Sequence, residues 1–171
     1  MPGARTHDLI TLVTAVAADI CYFACAPHPD PTLAALYTVA YVFAGYACAG
    51  DLDLDSKEYR RWGPLRFIWW PYRALVPHRS WVSHGLIMGG LIRALYLGTV
   101  TTALTWAGAW VISRLGLHID PNRVTNDEWR SLTTTASLHP RAALALLSGF
   151  VLAGTTHSLA DLISTWFKRH L

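Results

Sequence analysis

Four short clusters hold most of the metal-capable side chains of this 171-residue chain. They are His7-Asp8, Asp51-Leu52-Asp53-Leu54-Asp55, His78 through His84, and His157 through Asp161. Imidazole and carboxylate together suit Zn²⁺, Mn²⁺ or Fe²⁺. His157 and Asp161 are four residues apart and share one face of any helix that carries them. Each cluster also has a plainer reading. His7 alone could be a surface residue. Asp51, Asp53 and Asp55 could be a solvated turn, or a loose Ca²⁺ site lacking the rest of an EF-hand loop. His78 and His84 could be interface residues, and His157 with Asp161 a hydrogen-bonded pair. The metal reading gains its weight from where the surrounding elements put the clusters.

Apolar residues make up 53% of the chain and charged ones 15%, with eight Trp and seven Tyr. That balance excludes disorder, collagen and coiled coil, and it argues against a simple soluble enzyme. The net charge is +3 without a long basic run, so nothing points to a nucleic-acid partner. Cys21, Cys25 and Cys48 lie in apolar stretches and are expected to be buried small hydrophobes, not a disulfide framework. Four apolar segments, about 9–26, 32–50, 85–113 and 142–166, are predicted to be transmembrane helices. Asp19 interrupts the first, which is read as retained and not as a cleaved signal. The expected fold is an all-α polytopic membrane bundle, one domain over residues 1–171, with membrane lipid as its surroundings.

The connections differ in character. Pro-His-Pro-Asp-Pro at 27–31 makes a tight turn and a helical hairpin. The 61–73 stretch interleaves Trp and Tyr with Arg and is expected to lie along the inner headgroup layer. Residues 114–141 are polar and read as an exposed loop. Four spans put the N-terminus, the 51–84 connection and the C-terminus on one side. That side carries nine Lys and Arg residues against four on the other, which makes it cytoplasmic. All four clusters then fall at cytoplasmic helix ends, where a bundle can bring them together. Asp19 and Arg93 lie deeper, about 18 and 14 Å along their helices, and are expected to form a buried pair.

Taken together, the motifs resemble two related families. Thr6-His7, Asp51-Leu52-Asp53, His78-Arg79 through Ser83-His84, and Thr156-His157 through Asp161 are similar to the LexA-regulated inner-membrane metal-dependent hydrolases. Arg5-Thr6-His7-Asp8 and the stretch from Asp51 to Tyr96 look more like an uncharacterised bacterial metal-binding family common in cyanobacteria. The resemblance covers nearly the whole chain and is weakest from 110 to 141. It implies metal binding, a bacterial inner-membrane location and hydrolysis, and it implies no substrate. The hydrolases place His directly after Asp-x-Asp, where this chain has Leu54. His78, Asp55 and Asp8 are the residues that could take its place.

The expected function is metal-assisted hydrolysis at the cytoplasmic membrane face, on an amphiphilic phosphoester. Asp51, Asp53, His84, His157 and Asp161 are the expected ligands of one or two ions (Zn, Mn or Fe), with His7 and His78 as further candidates. Asp8 or Asp55 would act as base, and Arg79, Arg60 and Arg61 would bind phosphate. The alternatives are a non-catalytic membrane protein with a structural or transported metal, and a soluble all-α metalloenzyme with its apolar segments packed inward. The sequence assigns no oligomeric state.

Overall fold

The computed structural model describes residues 3–78 and 80–170. Among these the chain is all-helical. In order come α1 (Ala4–Cys25), α2 (Pro31–Ala47), a 3₁₀ turn (Gly50–Asp53), α3 (Lys57–Arg61), a second 3₁₀ segment (Gly63–Trp69) and α4 (Trp70–Leu75). They are followed by α5 (Trp81–His84), α6 (Met88–Arg114), α7 (Pro121–Leu138) and α8 (Pro140–His170). Helices α1, α6 and α8, and the stretch Pro31–Asp53 that continues α2 through the 3₁₀ turn, are long and apolar enough to cross a membrane.

The outward face of the bundle shows which solvent it needs. Leu9, Val13, Val16, Ile20 and Phe23 form an exposed apolar stripe along α1. Leu144, Leu147, Leu152 and Leu162 do the same along α8. Water would leave this area as an aggregation surface, whereas lipid would cover it. Inside, small residues let the backbones approach, as membrane helices require. Gly149 of α8 meets the Tyr37 carbonyl of α2 so closely that a Cβ has no room. Gly90 of α6 lies against Val151 of α8, 2.9 Å from its Cα to an ideal Cβ. Gly45 of α2 receives the Thr11 side chain of α1. Hydroxyls then tie three helices together. Thr14 and Tyr41 pair at 2.8 Å, and Tyr41 and Thr156 at 2.6 Å.

The aromatic segment has two faces. Trp69 and Tyr72 are buried, and Trp69 stacks on Tyr96 of α6 at 5.3 Å. Trp62 donates from Nε1 to the Ala47 carbonyl at 2.7 Å, so the segment closes over the end of α2. Leu65, Phe67, Trp70 and Leu75 face outward. Burial raises the Tyr72 phenol above its ordinary range and keeps it neutral.

Three sequence expectations change. Residues 121–138 form a helix, not a loop. Asp120 caps it, accepting from the Asn122 amide at 2.9 Å, and Pro121 fills the first turn. Asp30 and Pro31 start α2 in the same way, with Asp30 accepting from Thr32 at 2.8 Å. Cys21 and Cys25 are exposed on α1, and only Cys48 of the three is buried. Asp19 and Arg93 do not pair with each other. Asp19 accepts from the Thr38 hydroxyl at 2.7–2.8 Å, while Arg93 donates to the Ser83 carbonyl at 2.7 Å.

The small-residue contacts carry a test. Gly149→Val should destabilise the protein in detergent by about 1–3 kcal/mol through overpacking. Gly98→Ala, with nothing within 4 Å of its Cβ, should leave the thermal midpoint unchanged. Equal midpoints for both variants would contradict the α2–α8 approach.

Candidate metal centre

One end of the bundle collects side chains from four elements. His7 enters from the first turns of α1, and Asp51 from the 3₁₀ turn that follows α2. His84 ends α5, and His157 and Asp161 stand one turn apart on α8. His84 Nε2 lies 3.4 Å from Asp51 Oδ1 and 3.8 Å from Asp161 Oδ2. His157 Nε2 lies 3.7 Å from Asp51 Oδ2 and 3.6 Å from Asp161 Oδ2. His7 stacks on the His157 ring at 4.0 Å and puts its Nε2 3.3 Å from Asp161 Oδ1.

These separations have a natural occupant. Four N and O donors around a tetrahedral ion, at about 2.0–2.2 Å each, stand roughly 3.3–3.5 Å from one another. One donor atom from each of Asp51, His84, His157 and Asp161 falls within 4.8 Å of all the others. The hydrogen-bond accounting agrees. His84 Nε2, His157 Nε2, Asp51 Oδ1 and both Asp161 oxygens are buried without a hydrogen-bond partner. Buried polar atoms left so are costly, and a cation at their centre would satisfy them together.

The neighbours of His84 fix which nitrogen faces inward. Ser83 is fully buried, and its hydroxyl donates to the carbonyls of Pro77 and Ser80 at 3.3 Å. The same hydroxyl lies 3.0 Å from His84 Nδ1, and with the proton on Nδ1 the Nε2 lone pair is left for the cluster. The Ser83 carbonyl is in turn held by Arg93, whose side chain passes over Gly154 where a Cβ would block it. On the opposite wall, a Cβ at Gly50 would lie 3.0 Å from His157 Cδ2 and 3.3 Å from both Nε2 atoms. Gly50 and Ser83 thus shape the site. In the sequence Gly50 only ends the second apolar segment, and Ser83 is part of the His78–His84 motif.

A second group adjoins the first. His78 Nδ1 meets the buried Asp53 carboxylate at 3.1 and 3.2 Å, and donor atoms of Asp53, His78 and His84 lie within 4.8 Å of one another. Asp8 and Asp55 have cationic partners elsewhere. Asp8 accepts from Arg61 at 2.6 Å and from Lys57 at 3.0 Å. Asp55 and Arg60 form an exposed two-point pair at 3.1 and 2.7 Å, which holds the Asp55 carboxyl below its ordinary range. Arg61 also donates to the Tyr46 carbonyl at 2.7 Å. Arg79 lies outside the described residues.

Residues 2–171 match the model of a family described as "Uncharacterized metal-binding protein (DUF2227)", and the chain belongs to that family. It is also similar to a protein of Aquifex aeolicus (strain VF5), described as an uncharacterized protein. The two are 27% identical over 140 residues, which is 78% of this chain and 92% of that protein. No solved structure matches.

The close wall gives the site a direct test. Gly50→Ala should weaken Zn²⁺ affinity about tenfold or more, the usual scale for disturbing what orients metal-binding imidazoles. Helix content by circular dichroism should not change. Unaltered affinity would contradict the placement of Gly50 against the two rings.

Proposed function

From membership of a metal-binding family, we propose that the protein holds a divalent ion through Asp51, His84, His157 and Asp161 and is a membrane-embedded metal-dependent hydrolase. The observation that carries the metal assignment is the set of buried donor atoms without partners, spaced for one ion. Zn, Mn and Fe all suit a mixed set of imidazole and carboxylate. His7 backs the site by directing its Nε2 at Asp161. The proposed location is the bacterial inner membrane with both termini in the cytoplasm, a reading supported by the excess of Lys and Arg on that side. The site then opens at headgroup level, which favours an amphiphilic phosphoester as substrate.

Hydrolysis is supported by two features. The motif set resembles the LexA-regulated inner-membrane hydrolases. A cavity of about 490 Å³ is lined by His84 and Asp161, so an ion between them is reachable. Such an ion supplies Lewis acidity and activates water at neutral pH. For the base, the His78–Asp53 pair is better placed than Asp8 or Asp55. Asp53 orients the imidazole through Nδ1, and His78 remains partly exposed. Asp8 has two cations to neutralise it, and Asp55 is bound to Arg60.

Two further readings have an observation each. The spacing of four donors also fits a closed, structural ion. The adjoining Asp53, His78 and His84 donors could take a second ion.

Metal analysis with an activity screen separates these readings. Protein purified in detergent should carry about one equivalent of Zn, Mn or Fe, lost in Asp51→Ala and in His84→Ala. A panel of lipid phosphoesters should include one that is turned over, with activity falling to background in Asp51→Ala. Two equivalents, reduced to one by His78→Ala, would establish the second ion. Bound metal without turnover of any phosphoester would favour the structural ion, and absence of metal would refute the proposal.

A further inference from the structure

The cavity beside the cluster contains more than its metal-facing wall. It reaches from His84 and Asp161 along α8 to Arg169, and its sides are Trp81, Leu86 and Leu162. Ser158, Asp161, Leu162 and Arg169 recur along one face of α8. The eight residues from Asp161 to Arg169 span about 12 Å, and helical side chains lean toward the N-terminus, which brings the exposed Arg169 side chain within reach of a ligand bound at the cluster. Ser158 is 2% exposed, lines the cavity, and has a hydroxyl oxygen without a hydrogen-bond partner. Trp81, Leu86 and Leu162 are exposed apolar side chains, so this side of the cavity opens toward the surface that lipid would cover.

Three other described arginines of this end have partners elsewhere. Arg60 and Arg61 are bound to Asp55 and Asp8, and Arg93 is buried against the Ser83 carbonyl. Among the described residues that line the cavity, Arg169 is the arginine. It combines a positive end, a partnerless buried hydroxyl and an apolar flank that opens sideways.

We propose that this cavity binds an anionic amphiphile, its phosphate- or phosphonate-like head between the metal centre and Arg169 and its alkyl chain along Leu86, Leu162 and Trp81. The assignment rests on the metal-centre reading, because an ion must offset Asp161 before an anion can sit beside it. It makes Arg169, and neither Arg60 nor Arg61, the residue that recognises the head. A guanidinium presents paired donors to phosphate oxygens in a geometry that an ammonium cannot reproduce.

The test uses the metal-loaded protein in phosphatidylcholine nanodiscs and dodecylphosphonate, whose carbon–phosphorus bond resists hydrolysis. Calorimetry should show dodecylphosphonate binding that weakens about 10- to 100-fold in Arg169→Gln, the scale for losing a charge-assisted contact, with partial retention in Arg169→Lys. Leu162→Trp, which fills the flank, should weaken it as well. Dodecyltrimethylammonium should not bind, and inorganic phosphate should bind far more weakly than dodecylphosphonate. Metal content is measured on the same samples. A wild-type protein without metal would fail the metal-centre reading. Normal metal with unaltered dodecylphosphonate affinity in Arg169→Gln would overturn the present one. Equal affinity for inorganic phosphate and dodecylphosphonate would overturn the role of the apolar flank.

Discussion

The carboxylates of Asp51 and Asp161 face the Nε2 atoms of His84 and His157 at 3.4–3.8 Å, at the end of an apolar bundle and without hydrogen bonds to meet the inward-facing donors. Desolvated carboxylates in such a place need a counter-charge. Yet the nearby Lys57, Arg60 and Arg61 are engaged with Asp8 and Asp55. Much of the surrounding architecture consists of devices that bring these donors together and keep them there.

Those devices are steric as much as polar. Gly50 lets the turn after α2 approach two imidazoles that a Cβ would crowd at 3.0–3.3 Å. Gly149 seats α8 against α2, and so sets the depth at which His157 and Asp161 stand. The break between α5 and α6 presents His84 as a short helical end instead of burying it in a continuous span. Arg93 secures that break through the Ser83 carbonyl, and the Ser83 hydroxyl holds the ring through His84 Nδ1. A cation fully inside the bundle thus acts at one remove from the centre, through backbone and hydroxyl.

The legible parts of this arrangement were those governed by axial position. Helix rise and the short 27–31 turn bring His7, Asp51, His84 and His157 to one end, and the spacing of His157 and Asp161 gives a shared face. Rotation about each helix was not legible, because it depends on contacts such as Gly45 with Thr11 and Gly90 with Val151. The expected Asp19–Arg93 pair failed for that reason. Depth alone suggested it, while Thr38 and the Ser83 carbonyl offered nearer partners. Cys21 and Cys25 were misjudged in the same way, since an apolar stretch of a membrane helix does not say which face meets lipid. Helix α7 was hidden by a different error. The polarity of 114–141 reads as a loop, although Asp120-Pro121 opens α7 with the same capping chemistry by which Asp30-Pro31 opens α2.

Imidazole and carboxylate, and no sulfur, are the donors proposed for one ion at the end of the bundle. X-ray absorption at the metal edge of the purified, metal-loaded protein measures that shell directly. The account predicts a shell of N and O donors at about 2.0–2.2 Å, with the multiple-scattering signature of two imidazoles. A sulfur shell near about 2.3 Å, or a shell without imidazole, would contradict it.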